Sequence, residues 1–163
     1  MKDCLKPHRN LEAEKQLKEI ILQIQSLMNK SENTPIIEKM LKEAAKFIKA
    51  SDRILDLTVI EDYESWTDLD GLVCGLTMEI PQLPTVSKED FISIVQYIRE
   101  VIESRETPDN MPLDCWRDFY IVFFTLNFPN VDSDDLFEEM FEDTSIDTLV
   151  DMVFGFVKFL CKF

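Results

Sequence analysis

The stretch PLDCWRDFYIVFFTLNF, residues 112–128, decides the fold of this chain. Between Phe119 and Leu126 only Thr125 is polar. A helix that is apolar on every side is typical of the middle of a helical protein. Pro112 suits the first helical turn, and Pro129 ends the helix. The stretch therefore predicts a buried central helix over residues 112–128.

A second segment of the same kind covers residues 145–162. Thr144 and Asp147 have the spacing of a capping box at its start. The segment is then apolar nearly all round, and Lys158 and Lys162 suit the negative end of the helix dipole. We expect these two very apolar helices to form the centre of the molecule.

The flanking segments read as amphipathic helices. Three helices are predicted in the first part of the chain: 11–29 capped by Asn10, 35–50 capped by Thr34, and 51–66 capped by Ser51. A capping box from Thr67 to Asp70 then opens a short helix that ends at about Met78. Two more helices run from Ser87 to about Ser104 and, capped by Ser133, over residues 134–142. Glu14 and Lys18 are expected to pair on the solvent side of the first helix. Residues 54–60 suit a strand as well, but no strand partner exists elsewhere, so helix is favoured.

These elements predict an all-α fold, an irregular single-domain helical bundle of about six to eight helices. Residues 1–10 are expected to form a flexible N-terminus, and residues 11–163 one domain. Within it, residues 11–50 form a helical hairpin of mixed charge and residues 51–163 an acidic helical core. Pro81 and Pro84 mark a linker.

The acidic excess of the chain is unevenly spread. Residues 1–50 carry 10 Lys/Arg against 7 Asp/Glu, whereas residues 51–163 carry 7 against 25. Such a charge argues against direct nucleic-acid binding and against an anionic membrane. There is no secretory signal and no apolar run of about 18 residues, so a cytoplasmic location is expected.

The side chains that catalysis or metal binding would need are scarce. The only histidine, His8, has no fixed Cys or carboxylate neighbour, which excludes His-dependent nucleophiles and zinc sites with two His. Cys4, Cys74, Cys115 and Cys161 are widely separated, and we expect reduced thiols, with the last three in apolar surroundings. Asn130, Asp132 and Asp134 begin like an EF-hand loop, but Asp135 and Phe141 stand where the loop needs Gly and Glu. No enzyme activity, cofactor or metal is predicted.

The most unusual local pattern is the acidic helix predicted over residues 134–142. Leu136, Phe137, Met140 and Phe141 are expected to face inward. The outward face carries the first group of candidate partner-binding residues: Asp134, Asp135, Glu138, Glu139 and Glu142. No Lys or Arg occurs between residues 118 and 157, so like charges four residues apart oppose each other without neutralisation. The alternative is a solvated face that aids solubility.

A second acidic cluster lies earlier in the chain and contains two aromatic residues, Tyr63 and Trp66. Its candidate partner-binding residues are Asp62, Glu64, Trp66 and Asp68, with Asp52, Asp56, Glu61 and Asp70 nearby. A partly exposed aromatic ring among carboxylates suits an interface anchor. The alternative is that both rings belong to the edge of the core.

The favoured function is a non-catalytic acidic protein that binds and inhibits a basic protein partner. Immunity proteins, antitoxins and phage-encoded inhibitors of nucleic-acid enzymes are examples of that class, and the link to them is analogy alone. The alternative is an adaptor or structural subunit that acts through a hydrophobic interface. We expect a monomer or a small homo-oligomer with no membrane association.

Overall fold

The computed structural model describes residues 1–29, 34–49, 54–142 and 144–155. All regular structure in these ranges is helical, which confirms the all-α prediction. The eight α-helices found there are α1 (Leu11–Asn29), α2 (Thr34–Ala44), α3 (Leu57–Asp62), α4 (Leu69–Thr77), α5 (Lys88–Ser104), α6 (Leu113–Asn127), α7 (Ser133–Phe141) and α8 (Ile146–Phe154). Three single-turn 3-10 helices cover Asp3–Leu5, Tyr63–Ser65 and Pro108–Asn110.

The chain divides into two compact units. The N-terminal unit comprises residues 8–79 and 111–115. The C-terminal unit comprises residues 1–7, 80–110 and the described residues from 116 onward.

In the N-terminal unit, α1 packs against α4, α2 and α3. Its buried stripe of Leu17, Ile21 and Ile24 follows the helical period predicted from sequence. Asn10 caps the helix as expected, because its Oδ1 accepts a hydrogen bond from the Ala13 N–H at 3.1 Å. This stripe forms one core with the buried side chains of the neighbouring helices.

Helix α4 is the most completely buried element described in that unit, since every residue from Gly71 to Met78 is buried. Its N-cap is Asp68, whose Oδ1 accepts from the Gly71 N–H at 2.7 Å, and not Thr67 as predicted. Thr67 instead packs against the helix. A Cβ on Gly71 would lie 2.2 Å from the Thr67 hydroxyl oxygen, so a larger residue there would force the Thr67 side chain to move.

Helix α2 ends at Ala44, six residues before the predicted end. The backbone N–H of Lys49 donates to the Leu76 carbonyl at 2.9 Å, so the chain after Ala44 bonds to another part of the unit instead of continuing the helix. Helix α3 is confirmed as helix but begins at Leu57, with Asp56 as its N-cap. The predicted cap Ser51 lies outside the described residues.

In the C-terminal unit, aromatic side chains fill the core. Phe119, Tyr120, Phe123 and Phe124 of α6 are fully buried or nearly so, which confirms this helix as a central element. Phe91 of α5 contacts the rings of three other phenylalanines, with centroids 5.6 to 6.3 Å apart. Each aromatic pair adds about 0.5–1.5 kcal/mol beyond its buried area.

Residues 1–7 belong to this same unit. Leu5 is fully buried, and its carbonyl accepts a hydrogen bond from the Tyr120 hydroxyl at 3.2 Å. The ammonium of Lys2 pairs with Asp90 at 2.6 Å. The segment expected to be flexible is therefore packed through an apolar side chain, a backbone carbonyl and an ion pair.

Helices α7 and α8 pack against each other and against α5. The cap of α7 is Asp132, whose Oδ1 accepts from the N–H groups of Asp134 and Asp135 at 3.1 Å; the predicted cap, Ser133, is already helical. The cap of α8 is Ser145, whose hydroxyl accepts from the Thr148 N–H at 3.2 Å, and not Thr144 as the predicted capping box required. The predicted continuation of this last helix over residues 156–162, with Lys158 and Lys162, lies outside the described residues.

Candidate functional site

Helix α7 presents most of its carboxylates to solvent. Leu136, Phe137 and Met140 are buried on its inner side. We define the α7 acidic face as the exposed carboxylates of Asp134, Asp135, Glu138 and Glu142. Residues three or four apart share one side of a helix, so these carboxylates lie close to one another. The outward orientation predicted from sequence is confirmed for these four residues.

Glu139, the fifth acidic candidate on this helix, has a different position. It is half-buried, and its carboxylate accepts a hydrogen bond from the Thr144 hydroxyl at 2.5 Å. Thr144 is also held through its carbonyl, which accepts from the Arg99 guanidinium. The carboxylate of Glu139 thus helps to hold the connection between α7 and α8.

The α7 acidic face is almost unneutralised. Arg117 approaches the Asp134 carboxylate only at 4.0 Å, and both side chains are well exposed. Asp135, Glu138 and Glu142 pair with no cation within the part of the chain that the structure describes. Among the residues that the structure describes, these carboxylates therefore have almost no neutralising cation.

An apolar side chain lies beside these carboxylates, contrary to the sequence prediction. Phe141 was expected to face inward, but 53% of it is exposed. Phe137 occupies the core position instead, with its ring 5.9 Å from that of Trp116. Phe141 packs on the outer side of Phe137 at 5.2 Å. The α7 acidic face thus borders an exposed phenyl ring that sequence reasoning missed.

The signal for this position was present in the helical period. At about 100° per residue, residue 141 projects between residues 137 and 134 around the axis. Residue 137 is buried and residue 134 is exposed, so Phe141 stands at the border of the two faces. Being the last residue of α7, it has no following turn to cover it.

The acidic cluster in the N-terminal unit is organised differently. Asp62 and Glu64 are exposed, whereas the Asp68 carboxylate caps α4. Asp70 pairs with Lys18 at 2.5 Å. Asp56, which caps α3, and Glu64, which accepts from the Tyr63 hydroxyl, also have partners within the unit, and Asp52 lies outside the described residues.

Trp66 is the exposed aromatic residue of this cluster, with 57% of it accessible, whereas Tyr63 is buried. Trp66, Ile54, Val59, Leu72 and Leu76 line an open cavity of about 150 Å³. Ile54 is 78% exposed at its edge. The apolar lining would accommodate a side chain of modest size.

Tyr63, the other aromatic residue of this cluster, belongs to the core, because only 4% of it is exposed. Its hydroxyl accepts a hydrogen bond from the Gln25 amide and donates one to Glu64, each at 3.4 Å.

One buried ion pair was not predicted from sequence. Glu14 is buried and pairs with Arg9, whose Nε lies 3.0 Å from Oε1 of the carboxylate. The expected partner Lys18 pairs with Asp70 instead. The hydrogen bond that Arg9 donates to Glu14 is the main reason that the pKa of Arg9 is raised above its ordinary value. The signal in the sequence is weak, because Arg9 precedes the helix and lies outside the period that relates Glu14 to Lys18.

The described ranges contain no group of three or more His, Cys, Asp or Glu side chains arranged to hold a metal ion. None of the helices in those ranges is both long enough and apolar enough to cross a membrane.

Comparisons of the chain with protein-family models, with curated proteins and with solved structures found no match.

Proposed function

We propose that this is a non-catalytic binding protein whose α7 acidic face binds a basic protein partner and blocks it. The observation that carries the proposal is a set of exposed, nearly unneutralised carboxylates beside the exposed ring of Phe141. Carboxylates supply attraction and orientation, and an aromatic ring supplies an anchor that excludes water.

The charge arrangement supports this proposal because it costs stability. Asp134 and Glu138 are like charges four residues apart, as are Glu138 and Glu142, and each such pair costs roughly 0.2–0.5 kcal/mol. The Glu43 and Asp70 carboxylates, by contrast, have lysine partners at 2.5 Å. A cationic partner would relieve the repulsion on α7, and its approach would be accelerated by the negative potential.

Inhibition follows from the chemistry of a basic binding surface. Proteins that bind nucleic acids use Lys and Arg clusters to contact phosphates. A row of carboxylates with one turn of helix between members offers such a cluster a competing anionic ligand. We therefore propose an immunity-like, antitoxin-like or phage-type inhibitor that occupies the phosphate-binding surface of a nucleic-acid enzyme.

The test is affinity capture with the tagged full chain at low and moderate salt, followed by mass spectrometry. The double variant Glu138→Lys, Glu142→Lys is compared with Glu103→Lys, Glu106→Lys, which changes the same charge at exposed positions of the same unit. We expect one stoichiometric basic partner to bind the wild type and the control, and to be lost from the α7 variant.

The captured partner is then assayed with and without the purified protein. A nucleic-acid enzyme whose activity falls in proportion to added protein supports inhibition. Equal capture by both double variants would contradict the proposed role of the α7 acidic face, and full activity of the saturated partner would contradict inhibition.

A second candidate function rests on the apolar surface around Trp66. An adaptor or structural subunit would insert an apolar side chain of its partner into the cavity that Trp66 and Ile54 border. Light scattering over a range of concentrations tests the homo-oligomeric form of this function. A mass that rises with concentration in the wild type but not in Ile54→Ser would favour it, and a monomer at all concentrations would exclude self-association through this surface.

A further inference from the structure

Two cysteines far apart in the sequence meet inside the N-terminal unit. The sulfur atoms of Cys74 in α4 and Cys115 in the first turn of α6 lie 2.7 Å apart, although the residues are 41 positions apart in the chain. Neither forms a disulfide bond in the structure, and both are buried, with 1% and 3% of the residue exposed. Their burial confirms the apolar surroundings predicted for Cys74 and Cys115, while the Cys4 side chain and Cys161 lie outside the described residues.

The sulfur separation is the central observation. A disulfide bond is about 2.05 Å long, so the two sulfurs need to approach by only about 0.7 Å to reach bonding distance. In the folded protein the two sulfurs are therefore already close to the separation of a bonded cystine.

We propose that Cys74 and Cys115 are a disulfide-forming pair, a site of reversible covalent modification that links α4 to the start of α6. This inference is independent of the binding function proposed above, since none of its residues lies on the α7 acidic face.

The local surroundings of Cys74 and Cys115 favour disulfide formation between them. Arg9 interacts electrostatically with both sulfurs, so a cation lies near the position where a thiolate would form. The thiolate is the attacking species in thiol–disulfide exchange. Cys115 also follows the exposed residues Leu113 and Asp114 in a first helical turn. The ends of helices fray, so local opening of this turn gives a small oxidant access to the sulfur.

The chemistry balances with an external disulfide such as oxidised glutathione. One cysteine thiolate attacks a sulfur of glutathione disulfide, which forms a mixed disulfide and releases one glutathione thiolate. The second cysteine loses its proton and attacks the protein sulfur of that mixed disulfide, which releases the second glutathione. The two cysteines lose two electrons and two protons, and the two glutathione molecules gain them.

Oxidation is expected to stabilise the N-terminal unit. A cross-link between residues 41 apart restricts the unfolded chain, and the effect grows with the length of the closed segment. α4, which the bond would hold, is buried from Gly71 to Thr77. We expect a rise in Tm on the order of 5–10 °C between the reduced and the oxidised protein.

The experiment treats the folded full-length protein with graded ratios of oxidised to reduced glutathione. Linked peptides are then mapped by mass spectrometry without reduction, and Tm is measured on the same samples. The double variant Cys4→Ser, Cys161→Ser keeps only the proposed pair, and Cys115→Ala removes it. We expect a Cys74–Cys115 peptide and a raised Tm in the wild type and the double variant, both reversed by a reducing agent.

Three results would overturn the proposal. One is the absence of the Cys74–Cys115 peptide in folded protein at every ratio. Another is glutathione retained on one of the two cysteines as a stable mixed disulfide. The third is a bond that forms only in denaturant. The comparison of oxidised with reduced wild type needs no substitution, so the test holds even where Cys115→Ala fails to fold.

Discussion

The acidic residues of the N-terminal unit and those on the outer side of α7 perform different tasks, although they look alike in the sequence. In the N-terminal unit, Asp68 caps α4, Asp70 pairs with Lys18, and Glu14 pairs with Arg9. On α7, Glu138 and Glu142 have no such partners among the described residues. The difference teaches that a surplus of acidic residues does not by itself mark a binding surface. The position of each carboxylate relative to helix ends and cations decides whether it holds the fold or remains available.

The largest expected effect concerns the buried carboxylate. Glu14→Ala removes the carboxylate that pairs with the mostly buried guanidinium of Arg9, and removing one member of a buried pair costs about 3 kcal/mol or more. We expect a clear fall in the free energy of unfolding, measured by urea denaturation. Glu138→Ala is the matched control and should change stability by less than about 0.5 kcal/mol. Equal effects of the two variants would contradict the distinction drawn between the two kinds of carboxylate.

The two exposed aromatic residues give the sharpest comparison of binding surfaces. If α7 binds the partner, Phe141→Ala should shorten the lifetime of the complex about tenfold, because it removes an apolar anchor at the interface. Trp66→Ala should leave that lifetime unchanged. Surface plasmon resonance with the captured partner measures both. The reverse result would transfer the binding site to the surface around Trp66.

A cap substitution separates structure from binding within the second cluster. Asp68→Ala removes the hydrogen bond to the Gly71 N–H and should lower stability by about 1 kcal/mol. Asp68→Asn keeps an acceptor and should restore most of that loss. Asp62→Ala, at an exposed neighbour, should have little effect on urea unfolding. If Asp68→Ala left the stability in urea unfolding unchanged, α4 would not depend on this cap.

The smallest expected effect is a pH dependence at the N-terminus. The hydrogen bond from Lys2 is the main reason that the pKa of Asp90 is lowered, with help from Ser87 and against the effect of burial. A carboxyl whose pKa is lower in the folded state stabilises the protein above the unfolded pKa of about 4, and loses that contribution as the pH falls through the folded value.

Lys2→Ala should therefore reduce the loss of stability between pH 7 and pH 3 relative to the wild type. Lys88→Ala removes a lysine at an exposed position of α5, the helix that carries Asp90, and is the control. Urea midpoints at the two pH values provide the measurement. An unchanged acid dependence in Lys2→Ala would mean that this ion pair does not form in solution.

Local sequence rules predicted much of the helical architecture. The bounds of α1 follow from the Asn10 cap and a regular apolar period, and those of α5 follow from Ser87 in the same way. The N-cap of a helix was misassigned where two residues that favour this position are adjacent, as at Thr67 and Asp68. Thr and Asp both favour the N-cap position, so the sequence does not separate them. On α7 the period oriented the carboxylates correctly but not Phe141 at the border of the helix face.

The sequence by itself determined an all-helical chain, a buried aromatic α6 and an acidic outer side of α7. These depend on propensity, caps and the period of apolar residues, which act over a few positions. Only the tertiary structure decided the end of α2 at the Lys49–Leu76 hydrogen bond, the partner of Glu14 and the meeting of Cys74 with Cys115. Each of these depends on which distant groups come within bonding distance, and no local periodicity encodes that distance.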